Sequence, residues 1–155
     1  LPDRSSGGTV DLFCENIGRE NFGTGLENQR KGISGGVKIN DHRQFGYEIY
    51  PLELDEKQIE GLDFDSGYSD AVPAFYKFEF EADELCDTFL ETNGFGKGVA
   101  FVNGFNIGRF WEIGPQKRLY IPAPLLRAGK NTIILFETEG KLAESIMLWD
   151  EPDLG

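Results

Sequence analysis

Residues 73 to 82, PAFYKFEFEA, alternate as regularly as an extended chain allows. Ala74, Tyr76, Phe78, Phe80 and Ala82 fall on one side, and Phe75, Lys77, Glu79 and Glu81 on the other. Successive side chains of a strand point to opposite faces, so this segment calls for a sheet with one apolar face. The same period returns in short pieces along the chain. TVDLFCEN sets Val10, Leu12 and Cys14 against Asp11, Phe13 and Glu15, and ISGGVKIN and FGYEIYPLEL are expected as two strands broken by DHRQ. DTFLET, GVAFVN, FNIGRFWEI, KRLYIP, NTIILFETE and ESIMLWD continue the series. GVAFVN and FNIGRFWEI meet at Asn103-Gly104, a dipeptide that accepts the positive φ values of a two-residue hairpin. Ile133, Ile134, Leu135 and Phe136 are apolar on both faces, as in a strand covered on each side.

Only DEKQIEGL reads as a helix, with Asp55 as cap, Gln58 at the capping-box position and Gly61 at its end. IGRENFGTGLENQRKG reads as a long loop, DFDSGYSD as a polar loop and PAPLLRAGKN as a turn. About ten short strands, frequent turns and one short helix predict an all-β fold, an antiparallel β-sandwich of jelly-roll type. The expected layout is a flexible leader over 1–8, one sandwich domain over 9–150 and a C-terminal tail over 151–155. Leu1 is not a natural start and the sole methionine is Met147, so the chain is expected to be a processed product or a piece of a longer one.

The 155 residues include 27 acidic and 15 basic side chains, a net charge of -12 that repels phosphate backbones and anionic membrane surfaces alike. Neither nucleic acid nor membrane is an expected partner. Two cysteines, Cys14 and Cys86, make no disulfide scaffold. Free thiols, a reducing compartment and hence the cytoplasm are the expectation.

Chemistry-bearing patterns are sparse. Glutamates such as Glu79 and Glu81 sit at solvent-facing strand positions, so no carboxylate pair of the kind glycoside hydrolysis needs is singled out. His42, the one histidine, stands in NDHRQFG and reads as a surface-turn residue without a nucleophile beside it. Asp63, Asp65 and Asp70 on DFDSGYSD are oxygen donors that suit calcium, but the EF-hand spacing is missing and a bare acidic loop is preferred. No catalytic residue, resident metal or cofactor is assigned.

Sugar contact is the sharper possibility, since pyranose faces stack on aromatic planes while amides and guanidinium groups meet the hydroxyls. Asn103, Phe105, Asn106, Arg109, Phe110 and Trp111 supply those groups. By strict alternation Phe105, Ile107 and Arg109 share one face, and Asn106, Gly108 and Phe110 the other. Core or interface packing is the preferred reading of the aromatics in a chain with 13 Phe.

These segments resemble the C-terminal β-domain of β-galactosidases of glycoside hydrolase family 35. CENIGRENFG at 14–23 is similar to the family's V-E-N-x-G-R-x-N-Y-G, and RKGISGGVKIN to its K-G-I-x-G-G-V, with YPLEL following. NGFGKGVAFVNGFNIGRFWEIGPQKRLYIP matches a W-x-K-G-x-x-F-V-N-G-x-N-L-G-R-Y-W-x-x-G-P-Q-x-x-L-Y-x-P pattern. The likeness runs from about residue 9 to about residue 149. Phe22 and Phe110 stand where the pattern has Tyr, and Phe95 where it has Trp, which removes polar atoms a sugar contact would use.

The resemblance implies a galactose-binding-domain-like sandwich from an enzyme that hydrolyses terminal β-galactosides. The family's catalytic glutamates lie on an N-terminal (β/α)8 barrel, after a G-P-I…Q-x-E-N-E-Y-G type motif that these residues do not contain. The implied role is non-catalytic, supporting that barrel and another β-domain of the parent chain; a galactoside-binding module is the alternative. Asn16, Gly18, Arg19 and Asn21 are expected to organise a companion loop. Gly108 is expected to leave room for a neighbour, and Arg109 to lie over an aromatic while pairing with Glu15 or Glu112.

Overall fold

A strand as regular as PAFYKFEFEA finds a partner along its whole length. In the computed structural model, which describes residues 8–18 and 21–155, Ala74–Ala82 pairs antiparallel with Gly129–Glu137 in unbroken register, Phe78 opposite Ile133. The chain divides into two compact units, one ending at Tyr50 and one from Pro51 to Gly155, where a single domain over 9–150 is the sequence expectation.

The first unit carries little regular structure. A 3-10 turn at Leu26–Asn28 lies in the long loop, and β1 (Lys38–Ile39) pairs with β2 (His42–Arg43). Asn40 and Asp41 make the turn between them at φ 49 and 63, so His42 lies on a strand rather than in the turn. The strands expected at TVDLFCEN and FGYEIYPLEL do not form, and Val10, Leu12, Phe13, Ile49 and Tyr50 are exposed. Alternation marks a face that can be buried; a strand also needs a ladder partner for its backbone groups. The expected leader over 1–8 lies outside the described residues except for Gly8.

The second unit begins with α1 (Glu56–Glu60), where Asp55 Oδ1 accepts from Gln58 N at 2.8 Å and Gly61 closes the C-terminus. Gln58 Oε1 returns to Leu54 N at 2.8 Å, one residue earlier than in an ideal capping box. Seven strands follow: β3 (Ala74–Ala82), β4 (Thr88–Glu91), β5 (Lys97–Val102), β6 (Phe105–Trp111), β7 (Arg118–Ile121), β8 (Gly129–Glu137) and β9 (Met147–Trp149). They form a four-stranded sheet in the order β3-β8-β5-β6 and a three-stranded sheet in the order β7-β4-β9, every pairing antiparallel.

Leu90, Leu119, Ile121 and Leu148 from one sheet meet Val102, Phe110, Ile133 and Leu135 from the other in a single core. This is the expected sandwich. Phe95, at the position where the family pattern has Trp, is buried in it, 5.1 Å from Tyr76 and 6.3 Å from Phe110, ring to ring. The opposite face of the four-stranded sheet is covered as well. Phe75, Val99, Phe101, Ile134 and Phe136 pack under Leu54, Ile59, Leu62 and Phe64, and Phe75 stacks on Phe136 at 4.4 Å. The double apolar phase of β8 therefore reports burial on both sides, as read from the sequence.

The residues expected as a tail lie along β7 instead, where Asp153 O accepts from Lys117 N at 3.1 Å and Arg118 N at 3.2 Å. Asp87 ties the start of β4 to the turn after β7, accepting from Ala123 N at 2.9 Å and Tyr120 OH at 2.7 Å. Those two donors, the backbone N–H first, hold its carboxyl below the ordinary value of 3.8. A carboxyl depressed in the folded state contributes stability that is present above 3.8 and is lost as pH falls below it. Asp87→Asn is expected to flatten the acid limb of a melting-temperature profile in that window. An unchanged acid slope in the variant would show that the pairing contributes nothing.

Candidate functional site

The β5–β6 hairpin turns at Asn103 (φ 49) and Gly104 (φ 86), as the dipeptide predicts. Its asparagine is committed inside the fold. Asn103 Nδ2 donates to Leu125 O at 2.8 Å and to Asn131 Oδ1 at 2.9 Å, while Asn103 Oδ1 accepts from Thr132 N at 3.0 Å. Asn131, fully buried, donates to Arg127 O and Gly129 O and accepts from Arg127 N at 2.8 Å. Two amides thus lock the hairpin to the turn before β8, with every polar atom partnered.

Beyond the turn β6 departs from strict alternation. Ala100 pairs with Gly108 but Phe101 pairs with Asn106, so Ile107 is an extra, bulged residue. Ile107 consequently packs on the core with Phe110, and the phase expected for Phe105, Ile107 and Arg109 is broken. Asn106 Oδ1 accepts from Gly108 N at 2.9 Å and pins the bulge. Gly108 is needed for its φ of +122, since a Cβ there would meet only Leu119 at 4.0 Å; leaving room for a neighbour is not its role.

Past the bulge, Arg109 and Trp111 share the side of the sheet away from the main core, and the Arg109 guanidinium lies 5.3 Å from the Trp111 ring. Lys97, opposite Trp111 in register, approaches the same ring at 5.7 Å. Glu112, expected as an Arg109 partner, instead takes Lys141 Nζ at 2.5 Å, and its carboxylate raises that ammonium above the usual lysine value. With an exposed guanidinium held mainly by one cation–π contact, Arg109→Ala is expected to cost under about 1 kcal/mol. A chemical denaturation curve checks this, and a larger loss would reveal a further partner.

The sequence-predicted contacts therefore divide between two places. Asn103, Phe105 and Asn106 line an open concavity of about 270 Å³ with Leu54, Asp55, Glu56 and Gly104, and Phe105 is 58% exposed there. Trp111 lines a smaller hollow with Asn93, Glu112, Gln116 and Lys117, where Lys117 Nζ donates to Glu112 O at 2.6 Å. Arg109 lines neither.

Asp63, Asp65 and Asp70 are not brought together as a metal site. Asp63 Oδ1 accepts from Asp65 N and Asp70 Oδ1 from Tyr68 OH, and among the described residues no cluster of three or more ligating side chains forms. Asn16, Gly18 and Asn21 lie on exposed irregular chain, Gly18 at φ +61, and Arg19 is outside the described residues. Cys14 and Cys86 are free and exposed, and no described helix is long and apolar enough to cross a membrane.

Glu137 is the group that sequence reasoning passed over. It is fully buried at the end of β8, where Oε1 accepts from Gly96 N at 3.2 Å and Lys97 N at 3.4 Å. Oε2 accepts from Glu139 N at 3.1 Å and Lys141 N at 2.9 Å. Its phase was legible, because Ile133, Leu135 and Glu137 share the core-facing side of β8. Four backbone donors leave the carboxylate organising the turns on either side of it rather than meeting solvent.

Comparison with known proteins follows these two units. Residues 73–131 match the family model described as the β-galactosidase galactose-binding domain, and residues 3–53 match the β-galactosidase first all-beta domain. The chain is 39% identical over 149 residues to human beta-galactosidase-1-like protein 2, covering 93% of this chain and 23% of that protein. It is 40% identical over 135 residues to beta-galactosidase 1 of Dictyostelium discoideum, covering 82% of this chain and 20% of that protein. Beta-galactosidase 8 of Oryza sativa subsp. japonica is 35% identical over 190 residues, covering 99% of this chain and 28% of that protein. The chain thus spans 20–28% of the length of these relatives.

Proposed function

Since the chain belongs to the β-galactosidase family, through that family's galactose-binding and first all-beta domains, we propose that it is a non-catalytic part of a glycoside hydrolase family 35 enzyme. The parent hydrolyses terminal β-galactosides on a separate (β/α)8 barrel, and this region braces that barrel and a further β-domain. One observation carries the reading: the conspicuous polar groups of the hairpin and of β8 face inward. Asn103, Asn131 and Glu137 are partnered within the fold, which is what a rigid support requires.

The test is made on the full-length polypeptide that contains these residues. Asn131→Ala is expected to lower the melting temperature while kcat/KM of the folded fraction on a nitrophenyl β-galactoside stays within about twofold, as for a residue outside the chemistry. A large fall in kcat/KM at unchanged melting temperature would overturn the supporting role.

A second reading rests on the open concavity at the hairpin. Phe105 offers an exposed ring beside Glu56, and Asn106 keeps its Nδ2 for a hydroxyl while its Oδ1 holds Gly108 N. An amide NMR titration with galactose and lactose decides it. Saturable shifts confined to residues 54–56 and 103–106 would make this a galactoside-binding module, and a flat titration of folded protein would remove that reading.

A further inference from the structure

Asparagine followed by glycine can rewrite its own backbone, because no glycine side chain hinders attack of the next amide nitrogen on the asparagine side chain. Two such pairs occur in the chain, at 93–94 and 103–104, and the fold treats them oppositely. Asn103 is locked. Its side-chain amide holds three hydrogen bonds, to Leu125, Asn131 and Thr132, and its backbone N–H donates to Thr132 O at 2.9 Å. To meet Gly104 N, that side chain must first release the clamp between the hairpin and β8.

Asn93 is open to attack. It stands with Gly94 at the exposed tip of the turn between β4 and β5, which Phe95 N closes by donating to Thr92 O at 3.1 Å. Asn93 Nδ2 donates to Glu91 Oε1. Among the described residues, neither Asn93 Oδ1 nor Gly94 N–H has a hydrogen-bond partner. The turn itself demands the glycine, since Gly94 sits at φ +92 and a Cβ there would come within 2.9 Å of Ala143 Cβ. The residue that makes the attack easy is thus one the backbone imposes.

We propose that Asn93-Gly94 is a self-modifying site, where asparagine converts to isoaspartate and aspartate and the isoaspartyl form loosens the turn that seats Phe95. Gly94 N attacks Asn93 Cγ. The N–Cγ bond forms, the Cγ–Nδ2 bond breaks, and ammonia leaves with the proton that Gly94 N carried. Water then opens the cyclic imide. Its addition at Cγ gives aspartate, and its addition at the backbone carbonyl carbon gives isoaspartate. No electron is transferred, and water is the sole co-reactant.

Both products place a carboxylate close to Glu91, which loses its amide donor and gains a like charge. Isoaspartate also routes the main chain through the side chain, adding one carbon, or about 1.5 Å, to a tight turn. The Thr92–Phe95 bond closing that turn cannot keep its geometry. Phe95, next in the chain, is a fully buried ring against Tyr76 and Phe110, and Gly96 N donates to Glu137. The added length therefore falls on the core.

Timed incubation of the full-length polypeptide at mildly alkaline pH, followed by peptide mapping, tests it. The expected result is a gain of about 1 Da at Asn93, with isoaspartate identified by electron-based fragmentation. Its rate is expected to exceed that at Asn103 by at least ~30-fold, equivalent to ~2 kcal/mol of hydrogen bonding that Asn103 must release. Asn93→Gln, whose longer side chain closes the ring far more slowly, is expected to stop the change while amide exchange in 133–136 stays as in the wild type. Fresh Asn93→Asp carries the new charge without the added carbon. The isoaspartyl fraction, resolved by ion exchange, is expected to melt below both the wild type and Asn93→Asp.

Asn93 reacting no faster than Asn103 overturns the proposal. So does an unchanged Asn93 in the folded protein when the peptide containing it, cut from the same sample, converts, because the folded turn would then be protective. An isoaspartyl fraction that melts with the wild type overturns the coupling to Phe95. The wild-type rates need no variant, so a substitution that fails to fold leaves the test intact.

Discussion

Glu137→Gln is expected to destabilise the 51–155 unit by roughly 3–5 kcal/mol, since two buried donors lose their acceptor at about 1–3 kcal/mol each and meet an amide NH2 instead. The carboxylate accepts from Gly96, Lys97, Glu139 and Lys141 N–H groups and is wholly removed from solvent. Glutamine has nearly the same shape, so the loss measures hydrogen-bond polarity rather than packing. Glu137→Ala would orphan all four donors and is expected to leave the unit largely unfolded at 25 °C, given typical domain stabilities of ~5–15 kcal/mol. Urea denaturation followed by the fluorescence of Trp111 and Trp149, the only two tryptophans, gives the number directly. A glutamine variant within about 1 kcal/mol of wild type would show that water replaces the carboxylate at little cost.

Asn131→Ala is expected to cost about 2–4 kcal/mol, because it strips partners from the Arg127 N–H and C=O groups, the Gly129 carbonyl and the Asn103 amide together. Asn131→Asp keeps the acceptor but faces two carbonyls with an anion, so it is expected to be at least as harmful near neutral pH. Asn103→Ala removes the other half of the clamp, and the pair should be strongly non-additive. A double-mutant cycle with a coupling near zero, rather than the ~1 kcal/mol expected of contacting groups, would dissolve the clamp.

Much of the second unit was legible because its signals are local. The alternation of PAFYKFEFEA, the cap at Asp55, the positive-φ pair at Asn103-Gly104 and the double apolar phase of Ile133–Phe136 each have a short-range cause. In the first unit the sequence offered three strands, of which only ISGGVKIN holds one, the short β1. Val10 and Leu12 alternate like a strand yet lie exposed, because a pattern cannot supply the partner that would satisfy its backbone.

The candidate site was less legible than the fold. Asn103, Asn106 and Arg109 were named for chemistry that suits a sugar, but an asparagine that binds a hydroxyl and one that clamps a turn look alike in sequence. The bulge at Ile107 was invisible for a similar reason. One inserted residue changes every later side-chain direction, and only Gly108 hinted at it. Glu137 was hidden by the general expectation that glutamates face water, although its phase with Leu135 pointed inward.

What the amino-acid order determined by itself is the all-β class, most strands and turns of the second unit, and the family likeness, because these depend on neighbours within a few positions. Only the tertiary structure decided which polar groups are partnered inside, and which sheet face is covered. It also decided that Phe89, Tyr120 and Trp149 stand in one row. Those outcomes depend on residues tens of positions apart meeting across strands. Burial and hydrogen bonding at each such meeting, rather than local propensity, set the energy.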